Sequence, residues 1–114
     1  SDVYKRQDWV FAINAEDVDD EDVMPADIEG RDVAIYRFED EFYASIDRCT
    51  HGDAFLSDGI VVGSVIECPL HQGRFCIKSG KALSAPVSIP IQTYEVKVED
   101  GKVYVKFADG DNVG

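Results

Sequence analysis

Tyr94-Glu95-Val96-Lys97-Val98-Glu99-Asp100-Gly101-Lys102-Val103-Tyr104-Val105-Lys106-Phe107 decides the fold class. Tyr94, Val96 and Val98 alternate with Glu95, Lys97 and Glu99, which gives an extended chain one apolar and one charged face. Asp100-Gly101 is the dipeptide that best accepts the positive φ angles of a two-residue hairpin turn. Beyond it, Val103, Val105 and Phe107 again share one face. The stretch reads as a β-hairpin. Further out, Val33 to Phe38 and Phe42 to Ile46 are β-branched or aromatic runs joined by the charged turn Glu39-Asp40-Glu41, a second hairpin. Trp9 to Ile13 reads as a first strand, with Asn14 as the cap of a short turn over Ala15 to Val18. No segment carries three turns of 3.6-residue periodicity. The expected class is all-β, an antiparallel β-sandwich base or small barrel.

The chain has 114 residues, the size of one domain, and 45% of them are hydrophobic, enough for a core. Its 11 Lys and Arg against 23 Asp and Glu give a net charge of −12. Nucleic acid and anionic membrane surfaces repel such a chain, and neither is expected as a partner. No apolar run approaches the roughly 18 residues of a membrane helix. Ser1 to Gln7 is polar, lacks the apolar stretch of a signal peptide, and is left out of the fold argument as a candidate non-native leader. The expectation is a soluble, cytoplasmic monomer. Glu16 to Glu29 holds eight acidic residues. It reads as a solvated loop, with a docking surface for a basic partner as the functional alternative.

Between the hairpins the sequence changes character. From Arg48 to Pro90, Gly52, Gly59, Gly63, Pro69, Gly73, Gly80, Pro86 and Pro90 punctuate short runs, as tight loops do. This is a loop-rich insertion in a β base. Two histidines and three cysteines are present in the whole chain. Four of those five residues fall into Cys49-Thr50-His51 and Cys68-Pro69-Leu70-His71, a C-x-H-x16-C-x2-H pattern. An odd cysteine count disfavours a disulfide framework, and the clustering points to a metal site. Zinc takes two sulfurs and two nitrogens, but structural zinc sites usually pair like with like. Here each segment is mixed. That suits two loops side by side, each giving its cysteine to one iron and its histidine to the other, as in a Rieske 2Fe–2S centre.

The two segments, extended as Cys49-Thr50-His51-Gly52-Asp53-Ala54 and Cys68-Pro69-Leu70-His71-Gln72-Gly73-Arg74-Phe75, closely resemble the cluster-binding loops of Rieske-type ferredoxins. The nearest likeness is to the ferredoxin components of bacterial aromatic-ring dioxygenase systems. Gly80-Lys81-Ala82-Leu83, Ala85-Pro86-Val87 and the closing hairpin resemble that family too. The resemblance implies a single Rieske domain over 1–114, with 8–46 and 91–108 as the β base and 47–90 as a cluster-binding subdomain at its tip. It implies one 2Fe–2S cluster, with Cys49 and Cys68 on the inner iron and His51 and His71 on the outer iron. Two ferric ions, two sulfides and two thiolates cancel in charge, whereas four thiolates leave the core negative. Histidine ligation therefore raises the potential above that of plant-type ferredoxins. High-potential Rieske proteins carry a loop-bridging disulfide and serine and tyrosine hydroxyls near the cluster. Ala54, Leu70, Gly73 and Phe75 stand at those positions here, which implies a potential near the bottom of the range, about −150 mV. Gly52 and Gly73 are expected to let backbone N–H groups approach the cluster. Pro86 matches the family's third loop, which covers it.

The implied function is a one-electron carrier, not an enzyme, between a flavin-containing reductase and a terminal oxygenase, with electron exit at the edges of His51 and His71. With both histidines assigned, no site of two histidines and a carboxylate remains for a mononuclear oxygenase iron. The alternatives are a Rieske-like small subunit of a larger reductase, such as a nitrite reductase, and a structural zinc domain. Cys76, in an expected strand Arg74 to Ile77, reads as a small strand residue outside the ligand set.

Overall fold

The computed structural model describes residues 9–50, 54–70, 72–84 and 89–107. Ten strands follow in order: β1 (Val10–Asn14), β2 (Asp22–Ile28), β3 (Arg31–Phe38), β4 (Glu41–Ile46), β5 (Ile60–Val62), β6 (Val65–Glu67), β7 (Arg74–Cys76), β8 (Ala82–Ser84), β9 (Thr93–Glu99) and β10 (Lys102–Lys106). They form two antiparallel sheets, one of six strands in the order β1-β10-β9-β4-β3-β2 and one of four in the order β5-β6-β7-β8. The fold is all-β. Among the described residues there is no α-helix, only single 3-10 turns at Ala15–Asp17 and Leu56–Asp58, and no helix is long and apolar enough to cross a membrane.

The hairpins form where turn chemistry demands them. Asp100 and Gly101 take φ 54° and 75°, the positive pair of a two-residue turn, and Val103 faces Val98 across β10 and β9. Glu39 and Asp40 take φ 54° and 64° between β3 and β4. Arg37 bonds to Asp40 at 2.7 Å and donates to the Val18 carbonyl at 2.9 Å, steadying this glycine-free turn.

The acidic stretch Glu16 to Glu29 is a correction. It is not a loop throughout: its second half is β2, paired along its length with β3. Pro25 hid the strand, since proline cannot donate to a ladder, but β2 is an edge strand, where proline is tolerated. Val18, Val23 and Ile28 are buried, while all eight carboxylates stay exposed. Asn14 also departs from expectation. Its side chain makes no cap bond, and the Ala15 N–H donates instead to the Gly101 carbonyl at 2.8 Å.

β3 divides two cores. Val33 and Ile35 pack with Val18, Ile28, Ala44, Val103, Val105 and Phe107, inside the curl that brings the edge strands β1 and β2 together. Ala34 and Tyr36 face the other way, against Leu56, Ile66, Phe75, Ile77 and Ile91 beneath the four-stranded sheet. Burial on both faces explains its continuous apolar run. Each fully buried Ile or Phe contributes about 1.5–3 kcal/mol. Cys49 and Cys68 belong to the second core. The expectations for Ser1 to Gln7 and for the third loop Ala85-Pro86-Val87 lie outside the described residues.

Candidate metal centre

Two loops leave the second core. The first follows β4: the Cys49 N–H donates to the Ala54 carbonyl at 3.0 Å, and Arg48 bridges to Phe55. The second follows β6: the Cys68 N–H donates to the Gly73 carbonyl at 2.7 Å. Each cysteine therefore stands at the neck of a short loop whose two sides are joined behind it. The Thr50 hydroxyl donates to the Ile89 carbonyl at 2.8 Å, tying the first loop to the chain that enters β9.

Cys49 is 5% exposed and Cys68 fully buried. Their thiols are hydrogen-bonded to each other, and none of the three cysteines is in a disulfide. The Leu70 N–H points at the Cys68 sulfur at 3.4 Å. Burial pushes the Cys68 thiol up to about 11; the Leu70 N–H opposes that rise and the adjacent Cys49 adds to it. Two buried thiols in contact are poor thiolates by themselves. A positive iron held by both would reverse that balance, and an amide N–H aimed at sulfur would stabilise the charge that results. The two thiols thus fit a cluster iron. Among the described residues no third Cys, His, Asp or Glu joins them. The expected nitrogen donors, His51 and His71, lie outside the described residues, as does Gly52.

Ala54 and Gly73 supply the neck carbonyls, Leu70 the N–H, and Phe75 a fully buried ring in the same core as the thiols. None carries a hydroxyl or thiol. A surface cavity of about 300 Å³ lies across the two loops, lined by Ala54, Phe55, Asp58, Pro69 and Leu70. Cys76 ends β7, partly exposed and apart from the pair. Burial raises its thiol, but the Ser79 hydroxyl, the Ser79 and Lys78 N–H groups and the Lys78 charge outweigh that and lower it.

Sequence reading missed Asp47 and Ser57. Asp47 is 2% exposed. Burial raises its carboxyl, against two hydrogen bonds from Ser57 that lower it. The one signal was a lone aspartate ending the apolar run of β4.

Two thiols at paired loop necks, on a base of antiparallel strands, define a Rieske-type iron–sulfur domain, and the sequence profile of the Rieske [2Fe-2S] domain matches residues 8–95. The chain belongs to the Rieske [2Fe-2S] family. It is 47% identical over 97 residues to the ferredoxin component of the naphthalene 1,2-dioxygenase system of Pseudomonas putida, covering 85% of this chain and 93% of that one. A ferredoxin component of naphthalene 1,2-dioxygenase/salicylate 5-hydroxylase systems from Ralstonia sp. is 45% identical over 100 residues, covering 88% and 96%. Among solved structures, a chain from the complex of reduced oxygenase and oxidized ferredoxin in carbazole 1,9a-dioxygenase superposes with a TM-score of 0.82 at 40% identity, covering 88% of this chain and 94% of that one.

Proposed function

We propose that this chain is a one-electron carrier that takes an electron from a flavin-containing reductase and passes it to a terminal oxygenase of the aromatic-ring dioxygenase type. It binds one Rieske 2Fe–2S cluster, which supplies reversible one-electron chemistry. Cys49 and Cys68 hold the inner iron as thiolates, and His51 and His71 hold the outer iron. The 8–46 and 91–108 segments act as the base, and 47–90 as the cluster-binding part. The absence of hydroxyl or thiol groups at Ala54, Leu70, Gly73 and Phe75 supports a midpoint near the bottom of the Rieske range. With Cys49 and Cys68 on iron, Cys76 is left as a single unpaired thiol, which suits the cytoplasm.

The observation that carries this reading is the buried, mutually bonded Cys49–Cys68 pair at the necks of two loops. The complete Cys/His set favours a working carrier over a ligand-free reductase subunit. The purified protein should be red-brown, with iron and acid-labile sulfide in equal amounts. Cys49→Ser and His71→Ala should lose the visible spectrum, and Cys76→Ser should keep it. A colourless protein holding zinc would replace the carrier by a structural zinc domain.

A further inference from the structure

The first metal loop is closed at its base by a buried carboxylate. The Asp47 Oδ1 accepts the Ser57 backbone N–H at 2.7 Å, and its Oδ2 accepts the Ser57 hydroxyl at 2.7 Å. The Asp47 backbone takes part as well: its N–H donates to the Asp32 carbonyl at 3.0 Å and its carbonyl accepts the Leu56 N–H at 2.7 Å. The Arg48–Phe55 bridge and the bond from Cys49 to Ala54 continue the same neck toward the thiol. A hydroxyl or amide could close such a neck without charge, yet the closing group is an acid with 2% exposure. Both of its oxygens accept from N–H or O–H donors, the bonding of an ionised carboxylate, and bonds to a charged acceptor are the stronger kind. Burial and the negative fields of Asp32 and Asp58 work against that ionisation, and the two bonds from Ser57 oppose them.

We infer that Asp47 is a positioning residue for the cluster: it clamps the neck of the first loop through Ser57 and fixes a negative charge two residues behind Cys49 that lowers the midpoint potential. This rests on Cys49 being a cluster ligand. A nearby negative charge opposes the arrival of an electron, and burial limits the screening that water and salt would give it. The potentials of iron–sulfur centres follow the charge and hydrogen bonding around them.

Asp47→Asn and Ser57→Ala separate the two roles. The asparagine oxygen still accepts the Ser57 N–H, and its amide still bonds the hydroxyl, so the clamp persists while the charge is lost. Holo Asp47→Asn should keep the wild-type iron content and visible spectrum, with its midpoint shifted upward in a redox titration. Ser57→Ala keeps the charge and loses one clamp bond. It should lose iron to a chelator faster and show faster amide exchange across residues 54–57 by mass spectrometry, with a midpoint no higher than wild type. A wild-type midpoint in Asp47→Asn overturns the inference, and so does an equal rise in Ser57→Ala, because loosening alone then accounts for it. If Asp47→Asn fails to hold iron, unchanged chelation and exchange in Ser57→Ala overturn the clamp. A wild-type protein that binds no iron overturns the ligand assignment instead, and amide exchange in the Ser57 variant still reads the clamp.

Discussion

Tyr36 shows how much a single buried residue carries. Its ring is fully buried between the sheets, and its hydroxyl donates to the Ser45 Oγ at 2.8 Å, while Ser45 itself donates to the Ile46 carbonyl at 2.8 Å. Burial, with the Asp47 charge, raises the phenol well above its ordinary 10.0, against the opposing bond to Ser45. The unfolded chain releases this proton above about pH 10, whereas the folded chain keeps it. The unfolded state then binds fewer protons, so stability falls as pH rises past that point. Tyr36→Phe should cost about 1 kcal/mol at neutral pH, because Ser45 keeps its second partner, and should flatten the alkaline loss. Denaturant unfolding at neutral pH and above pH 10 checks both. At this scale the cysteine pair was legible, because rare residues at fixed spacing advertise a metal site. The Asp47–Ser57 clamp was not, because its partners are ten positions apart with nothing periodic between them.

Among the elements, the turn from β7 to β8 is the sharpest constraint. Gly80 has φ +81°, and a Cβ there would run into the Ile91 backbone carbonyl. Its N–H donates to the Cys76 carbonyl at 2.7 Å and its carbonyl accepts the Ile91 N–H at 2.9 Å, so the turn is stitched to the chain entering β9. Gly101 has φ +75° but open space around it. Gly80→Ala should therefore destabilise by about 2 kcal/mol or more, and Gly101→Ala by about 1 kcal/mol. Thermal unfolding of the two variants tests the order, and equal losses would mean that the Ile91 contact relaxes freely. Alternation and turn dipeptides made the β3–β4 and β9–β10 hairpins legible. β2 was not, because its exposed acidic residues and Pro25 mask the core residues Val23 and Ile28, and only pairing with β3 makes it a strand.

At the scale of the whole molecule, charge dominates. The −12 total and the eight exposed carboxylates of the 16–29 segment form an acidic surface beside the metal-binding half, linked to it where Glu21 accepts the Gly63 N–H at 2.9 Å. Such a field steers encounter with basic partners. Electron transfer from the proposed flavin-containing reductase should slow as ionic strength rises from about 0.01 M to 0.15 M, where the screening length shrinks from about 30 Å to 8 Å. A stopped-flow rate that stays flat over that range would remove the acidic surface from docking. By itself, the sequence determined the all-β class, two of the hairpins, the metal motif and the overall charge. Those properties are local, set by two-residue periodicity, turn dipeptides, ligand spacing and composition. Only the tertiary structure decided that β3 is buried on both faces, that half of the acidic stretch is an edge strand, that Cys49 and Cys68 meet inside a core, and that Asp47 bonds Ser57 across the neck of the first loop. Each of these depends on which distant segments pack together, and no local pattern encodes that.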